Sequence, residues 1–390
     1  MRSIRDVDLK VQRVLMRVDF NVPMDDNGAI TDDNRIVASI PTIEYILGQG
    51  ARLILMSHLG RPEGKPDAKY SLKPIAEHLG TLLHKKVQMA DDCIGPSVQA
   101  AVAKLAPGDI LMLENVRFHP GEEENDPEFS RQLAALADIY VNDAFGTAHR
   151  AHSSTSGVAE FLPAYAGFLL ENEVNMLRKV LEHPESPRMA ILGGAKIKDK
   201  LSLIRNLLDK MDIILVGGGI ASTLLCAKGI KVGKSICEKE LLDEARGLLE
   251  LAKQKGKLIL MPVDAVVTRE LAADAEAHLV DVDAIPEDMM MADIGPKTLK
   301  GYTTAISRAH TIIWNGPVGV YEYPQFAVGT EEIARAIAAS HAVSVIGGGD
   351  SAAAIQNLGL EKEITHISTG GGATLEFLEG IELPGVKSVE

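Results

Sequence analysis

The chain is short of cysteine, aromatic residues and positive charge, and each shortage removes a class of function. Three cysteines, Cys93, Cys226 and Cys237, are scattered over 390 residues with no C-x-x-C and no Cys/His zinc spacing. A disulfide framework and a zinc-ribbon fold are therefore not expected, and a reducing cytoplasm fits. Aromatics make up 4% with a single Trp, so any core must be aliphatic. The net charge of −14 argues against bulk binding to nucleic acid or an anionic membrane, so an anion site must be a local cluster. Long apolar runs are missing too. The longest segment free of Asp, Glu, Lys and Arg is 213–227, with three glycines, shorter than the ~20 residues of a membrane span. The opening MRSIRDVDLK carries early acids and no apolar stretch, unlike a signal peptide. The expectation is a cytoplasmic protein without membrane or nucleic-acid partners.

What is present is periodic. The length exceeds one ordinary core, so two domains are expected. Short aliphatic runs alternate with amphipathic helical stretches: 11–20, 52–56, 87–90, 110–114 and 139–142, then 189–192, 213–216, 258–263, 311–314, 343–346 and 364–368. Near-continuous Val/Ile/Leu runs suit strands covered on both faces, and alternation with helices gives right-handed βαβ units. The expected fold is α/β, with two doubly wound parallel-sheet (Rossmann-like) domains. Apolar residues at 170, 174, 177 and 181 make one helical stripe, read as an interdomain helix that His183-Pro184 stops. The domains are expected at 1–168 and 184–390, with the helix and hinge at 169–183.

Ligands of open α/β sheets bind beyond the carboxyl ends of the strands. In the first half those ends carry Asp19-Phe20-Asn21, His58-Leu59-Gly60-Arg61, Arg117 and, farther on, Arg150, with Arg35 in a loop or helix start. Each Arg alone suits a surface ion pair, and His58 alone a structural hydrogen bond. Together, Arg35, His58, Arg61, Arg117 and Arg150 can enclose a small, multiply anionic ligand, because guanidinium pairs bidentately with phosphate and carboxylate. Asp19 and Asn21 can orient a substrate hydroxyl. The run Glu122-Glu123-Glu124 reads as a solvated loop.

The second half places glycines at its strand ends: Gly193-Gly194, Gly217-Gly218-Gly219, Gly347-Gly348-Gly349-Asp350 and Gly370-Gly371-Gly372. Glycine lets backbone approach a ligand, and the next helix N-terminus offers free N–H groups to phosphate. One such turn is tight packing; four suggest a nucleotide polyphosphate site. Lys196 and Lys200, four apart, are expected to share a helix face. Asp350 can cap its helix or hold Mg²⁺ through oxygen. A Walker A loop fails because Lys228 stands where its first Gly belongs, and 217–222 lacks the third Gly of a dinucleotide fingerprint.

Eight motifs, in order along almost the whole chain, resemble the phosphoglycerate kinase family: RVDFNVP from Arg17, SHLGRP from Ser57, LENVRF from Leu113, NDAFG from Asn142 with AHRAHS from Ala148, GGAKIKDK from Gly193, WNGPVG from Trp314, GGGD from Gly347 and STGGGA from Ser368. The resemblance implies 3-phosphoglycerate or 1,3-bisphosphoglycerate on the N-terminal domain, at Asp19, Phe20, Asn21, Arg35, His58, Leu59, Gly60, Arg61, Arg117 and Arg150. It implies MgADP or MgATP on the other, at Gly194, Lys200, Gly218, Asn315, Glu322, Gly347, Gly348, Gly349, Asp350 and Ser351, with Asp350 at the metal. Arg35, Lys196, Lys200 and the backbone at Gly348 and Gly371 would stabilise the moving phosphoryl group. The family also implies a last ~15 residues that return to the first domain. Two ligands on separate domains must meet in line with water excluded, so closure about the hinge is expected, as is a monomer. A dehydrogenase and a non-catalytic anion-binding module are the competing readings.

Overall fold

Two parallel six-stranded sheets absorb the aliphatic runs. The protein is described here by a computed structural model covering residues 1–182 and 184–390. The chain divides into one unit of Met1–Asn175 plus Glu382–Glu390 and a second of Met176–Ile381.

In the first unit, β1 (Arg13–Arg17), β2 (Arg52–Met56), β3 (Val87–Met89), β4 (Ile110–Met112), β5 (Ile139–Asn142) and β6 (Ala164–Ala166) lie in the order β3-β4-β2-β1-β5-β6. Helices α1 (Asn34–Gly48), α2 (Lys73–Leu83), α3 (Pro96–Ala103) and α4 (Pro127–Ala134) connect them. Because β2 and β5 flank β1, the order reverses there, and the carboxyl ends of β1 and β5 face the switch-point crevice. Val14, Met16, Ile43, Leu53, Leu55 and Val141 belong to its aliphatic core. The unit also takes in the C-terminal residues. Arg2 N–H donates to Val389 O at 2.7 Å and Gly385 N–H to Ala148 O at 2.8 Å. Helix α5 (Phe168–Glu182) begins in this unit, and the division between units falls within it. The expected stop at His183 lies outside the described residues.

The second unit orders its parallel strands β15-β14-β13-β7-β8-β9. These are β7 (Arg188–Leu192), β8 (Ile213–Val216), β9 (Leu258–Leu260), β13 (Thr311–Asn315), β14 (Val343–Gly347) and β15 (His366–Ile367). The reversal sits between β7 and β13, and the lone Trp314 is fully buried on β13. Helices α6 (Leu201–Lys210), α7 (Gly218–Ala227), α8 (Leu242–Gln254), α9 (Pro296–Ile306), α10 (Val328–Ala338), α11 (Gly349–Asn357) and α12 (Gly372–Leu378) pack around it. One part departs from strict α/β alternation: β10 (Asp264–Thr268), β11 (His278–Asp281) and β12 (Met290–Ile294) form a separate antiparallel sheet. Its runs mix Asp and His with Val and Met, so they lack the purely aliphatic signature of buried parallel strands.

Two expectations fail at this level. Cys226 and Cys237 are joined in a disulfide with Cα atoms 6.4 Å apart. The loop after α7 folds back, with Ile230 N–H on Leu225 O and the Ser222 hydroxyl on Ile236 O, and this brings the two cysteines together. Glu122 is fully buried rather than solvated, because Ser154 N–H and Oγ–H donate to its two oxygens at 2.9 and 2.6 Å. Among the described residues, no helix is long and apolar enough to cross a membrane.

Candidate functional site

The strand ends of the first unit build a cationic pocket around His58. Just past β2, this ring is buried, and Arg17 on β1 places a guanidinium nitrogen 3.1 Å from its Nδ1. Guanidinium can only donate, so Nδ1 accepts and the ring proton sits on Nε2. Burial first, then the charges of Arg17, Arg117, Arg150 and Arg35, push the His58 pKa well down. The ring is neutral at pH 7, and its N–H is a donor that brings no charge of its own. Arg17 is itself buried, held by Ser154 Oγ at 2.7 Å and by the Val18 carbonyl. Ser154 in turn binds Glu122, so a buried Glu–Ser–Arg chain positions His58. Sequence reasoning missed this chain, although an Arg inside an aliphatic run was the available signal.

The other predicted residues fall around the same place. Arg35, in the first turn of α1, donates to Asp19 Oδ2 and Asn21 O, both at 3.1 Å. Asn21 Oδ1 accepts from Gly60 N–H at 2.9 Å, which ties the loops after β1 and β2 together. Arg117 is buried, donates to Gly60 O at 2.8 Å and pairs with Glu123 at 3.2 Å. Phe20 N–H bonds Ser57 Oγ at 3.0 Å, and Leu59 O accepts from Asn115 Nδ2 at 2.8 Å; these supports were not anticipated. Arg150 stands half-buried with its Nε 3.2 Å from His149 Nε2, and Arg61 is exposed. Burial and the charges of Arg117, Arg17 and Arg150 hold the His152 pKa down at about 4. The pocket thus keeps its imidazoles neutral and its guanidiniums charged, the arrangement for a ligand with several anionic oxygens.

In the second unit the glycines do two different jobs. At the floor, Gly193 N–H bonds Asn315 O and Gly219 N–H bonds Gly194 O. A Cβ on Gly219 would stand 1.8 Å from Ala195 O. These glycines let backbone lie on backbone, which was the alternative reading for a single turn. By contrast, Gly348 (φ 90°) and Gly371 (φ 48°) turn the chain into the starts of α11 and α12. None of α7, α11 and α12 has a side-chain cap. The Gly218 and Gly219 N–H groups of α7 are taken by Val318 O and Gly194 O, and the Ala373 N–H of α12 by Gly370 O, whereas the first turn of α11 presents N–H groups to an anion.

Beside these turns, Lys200 Nζ donates to Asn315 Oδ1. Burial lowers the Lys200 pKa to about 8. Asn315 is buried, and its Nδ2 has no partner. That nitrogen lies 3.1 Å from where a Cβ on Gly347 would be. An unpaired buried donor is costly unless a ligand completes it. Ser351 is buried and accepts from Gly316 N–H at 2.7 Å, bracing the turn after β13. Lys196 does not share a helix face with Lys200: it is exposed on the loop, and α6 begins only at Leu201. The intervening Ile197 and Lys198 N–H groups bond Glu238 instead, which draws the segment out of helix. Asp350 does not cap α11 either; it lies exposed in the first turn.

A cavity of about 330 Å³ adjoins this region, lined by Gly194, Gly218, Glu322 and Asp350 among others. Its apolar wall comes from Ile236, Leu271, Met290, Met291 and Val320. Met290 and Met291 belong to β12 of the small antiparallel sheet, so the wall was invisible to a search for parallel strand ends.

Comparisons with known proteins agree over the full length. The phosphoglycerate kinase family model matches residues 4–381. The chain is 55% identical over 384 residues to the phosphoglycerate kinase of Moorella thermoacetica, covering 98% of each chain. It is 53% identical over 388 residues to that of Pelotomaculum thermopropionicum, covering 100% of this chain and 98% of the other. The solved phosphoglycerate kinase of Coxiella burnetii superposes with a TM-score of 0.91 at 44% identity, covering 99% of this chain and 98% of that one. The Pyrococcus horikoshii structure gives 0.84 at 35%, covering 100% and 98%.

Proposed function

The chain belongs to the phosphoglycerate kinase family, and from that membership we propose how its two units divide the work. The enzyme is a phosphotransferase: it moves a phosphoryl group reversibly between 1,3-bisphosphoglycerate and ADP, giving 3-phosphoglycerate and ATP in glycolysis. The dehydrogenase and binding-module readings are set aside.

The first unit holds the glycerate ligand. Arg35, His58, Arg61, Arg117 and Arg150 take its anionic oxygens, and Asp19 and Asn21 orient its hydroxyl within the loops of Phe20, Leu59 and Gly60. The second unit holds the nucleotide. Its base lies along Met290, Met291 and Val320 in the cavity, with Glu322 at the rim. Its phosphates meet the glycine backbone at Gly194 and Gly218 and the open helix start at Gly347–Ser351, with Lys200 and Asn315. The single observation that carries this division is the pairing of a cationic pocket in one unit with uncapped helix ends beside an unpaired buried amide in the other.

Asp350 fits a magnesium ion: it is an exposed carboxylate on the cavity wall beside an open helix start. Magnesium is usually bound by one or two carboxylates together with substrate phosphates. Bound there, the ion would neutralise charge on the nucleotide phosphates. The protein's own groups do the rest. Both acceptors, a carboxylate and a phosphate oxygen, are already anionic, so no general base is required. Catalysis is positioning plus stabilisation of charge on the equatorial oxygens of the moving group, by Arg35, Lys196, Lys200 and the N–H groups at Gly348 and Gly371. The reactants must meet in line with water excluded, so the units close about 169–183 during turnover.

We place the enzyme in the cytoplasm as a monomer. Its location follows from a glycolytic reaction rather than from cysteine usage, since one disulfide is present. A coupled assay with ATP and 3-phosphoglycerate tests the assignment. Arg35→Ala should lose mainly kcat, and an unchanged kcat would remove Arg35 from the transition state. Small-angle scattering should show compaction only with both ligands; no change at saturation would refute closure.

A further inference from the structure

The neighbouring strands β3 and β4 end side by side, and the loops that follow bring the adjacent pair Asp92-Cys93 together with His119. Asp92 and Cys93 follow β3; His119 lies beyond β4. A carboxylate oxygen, the thiol sulfur and a ring nitrogen from these three all lie within 4.8 Å of one another. His119 Nε2 is 2.6 Å from Asp92 Oδ1, and the Cys93 thiol donates to the Glu114 carbonyl at 2.9 Å. The His119 ring is fixed by stacking on Phe129, with centroids 5.0 Å apart and planes 25° off parallel. Cys93 is buried while Asp92 and His119 are half-exposed, so an ion from solvent can reach a preformed set.

We propose that Asp92, Cys93 and His119 form a zinc site, separate from the glycerate pocket and the nucleotide cavity. One thiolate, one imidazole and one carboxylate make the mixed donor set that zinc takes at roughly 2.0–2.3 Å, and that magnesium or calcium does not favour. A fourth position falls to the Glu114 carbonyl beside the sulfur or to water. Binding is an exchange: the Cys93 S–H bond breaks, a sulfur–zinc bond forms, and that proton leaves to solvent. The His119 Nε2–H that faces Asp92 Oδ1 in the empty site gives up its proton as the nitrogen takes the ion, while Nδ1 gains one from solvent, with no change of oxidation state. Burial first, then the charges of Asp92, Glu122 and Glu114, push up the Cys93 thiol, and a bound dication would offset that negative charge. The ion would tie the loop after β3 to His119, two residues beyond Arg117, and so brace the segment that carries that guanidinium. Sequence spacing gave no hint, because the ligands come from two separate strand ends.

The test uses tag-free, full-length protein and Co²⁺ alone as the optical probe, followed by zinc in competition with a chromophoric chelator. Cys93 is the free cysteine and the other two are joined, so a thiolate-to-cobalt charge-transfer band identifies this sulfur. We expect that band at one ion per chain. We also expect zinc affinity to fall at least about tenfold in Cys93→Ser and in His119→Ala, since even outer-shell changes cost 10–100-fold. If either variant fails to fold, the wild-type cobalt spectrum decides alone. Saturation without a charge-transfer band, or folded variants binding zinc as tightly as the parent, would overturn the site.

Discussion

Asp293, at the end of β12, offers a quantitative test of how the second unit is held. Its side chain is buried; Oδ1 accepts from Ile294 N–H at 2.8 Å and Oδ2 from Gly329 N–H at 2.7 Å, in the first turn of α10. Burial outweighs both bonds and pushes the carboxyl up to about 7, against roughly 3.9 in an unfolded chain. The sign follows directly. Between pH 4 and 7 the folded state keeps a proton that the unfolded state has lost, so stability declines as pH rises. At about 1.4 kcal/mol per pKa unit, the group destabilises the fold by roughly 1.5 kcal/mol at pH 5 and about 4 kcal/mol at pH 8. Asp293→Asn loses one acceptor bond, a pH-independent cost of about 1–3 kcal/mol, and it also loses the titration. The stability difference between variant and parent should therefore swing by roughly 2.5 kcal/mol in the variant's favour from pH 5 to pH 8. Trp314, in the core of the same unit, reports this through its fluorescence in urea titrations. A difference that stays flat across this range would refute a protonated Asp293.

Two further outcomes follow from the packing. Deleting residues 382–390 removes buried Leu383, Val386 and Val389 and the Gly385 carbonyl that Asn142 binds at 3.0 Å. At roughly 1.5–3 kcal/mol per buried side chain, the first unit should melt at markedly lower temperature by circular dichroism while the Trp314 transition holds; an unchanged melt would show that the tail contributes nothing. Gly219→Ala should collapse the second unit, because its Cβ meets backbone at 1.8 Å, whereas Gly349→Ala finds open space and should fold normally; equal stability of the two would contradict the glycine assignment.

The sequence carried the parts of this fold that depend on long, uniform signals. Parallel strands buried on both faces read as aliphatic runs, and a residue beyond a carboxyl end, such as His58, was legible by position, whereas Asn315, the last residue of β13, was picked out only through the family resemblance. What was hidden depends on contacts between distant segments. Glu122 looked solvated because its partner Ser154 lies 32 residues away. Lys196 looked helical because the competing carboxylate, Glu238, is 41 residues beyond Ile197. The strands of the antiparallel sheet carry mixed polarity, so the methionines of the cavity wall gave no periodic signal. Cys226 and Cys237 meet only because a loop reverses.

The central claim is that one unit binds the glycerate and the other the nucleotide. Calorimetric titration of full-length Arg117→Ala with 3-phosphoglycerate and, separately, with MgADP tests it most directly. Truncating a buried guanidinium that binds a charged group costs about 2–5 kcal/mol, so glycerate affinity should fall at least about thirtyfold while MgADP binds as in the parent. Equal weakening of both ligands, or loss of nucleotide alone, would contradict the division.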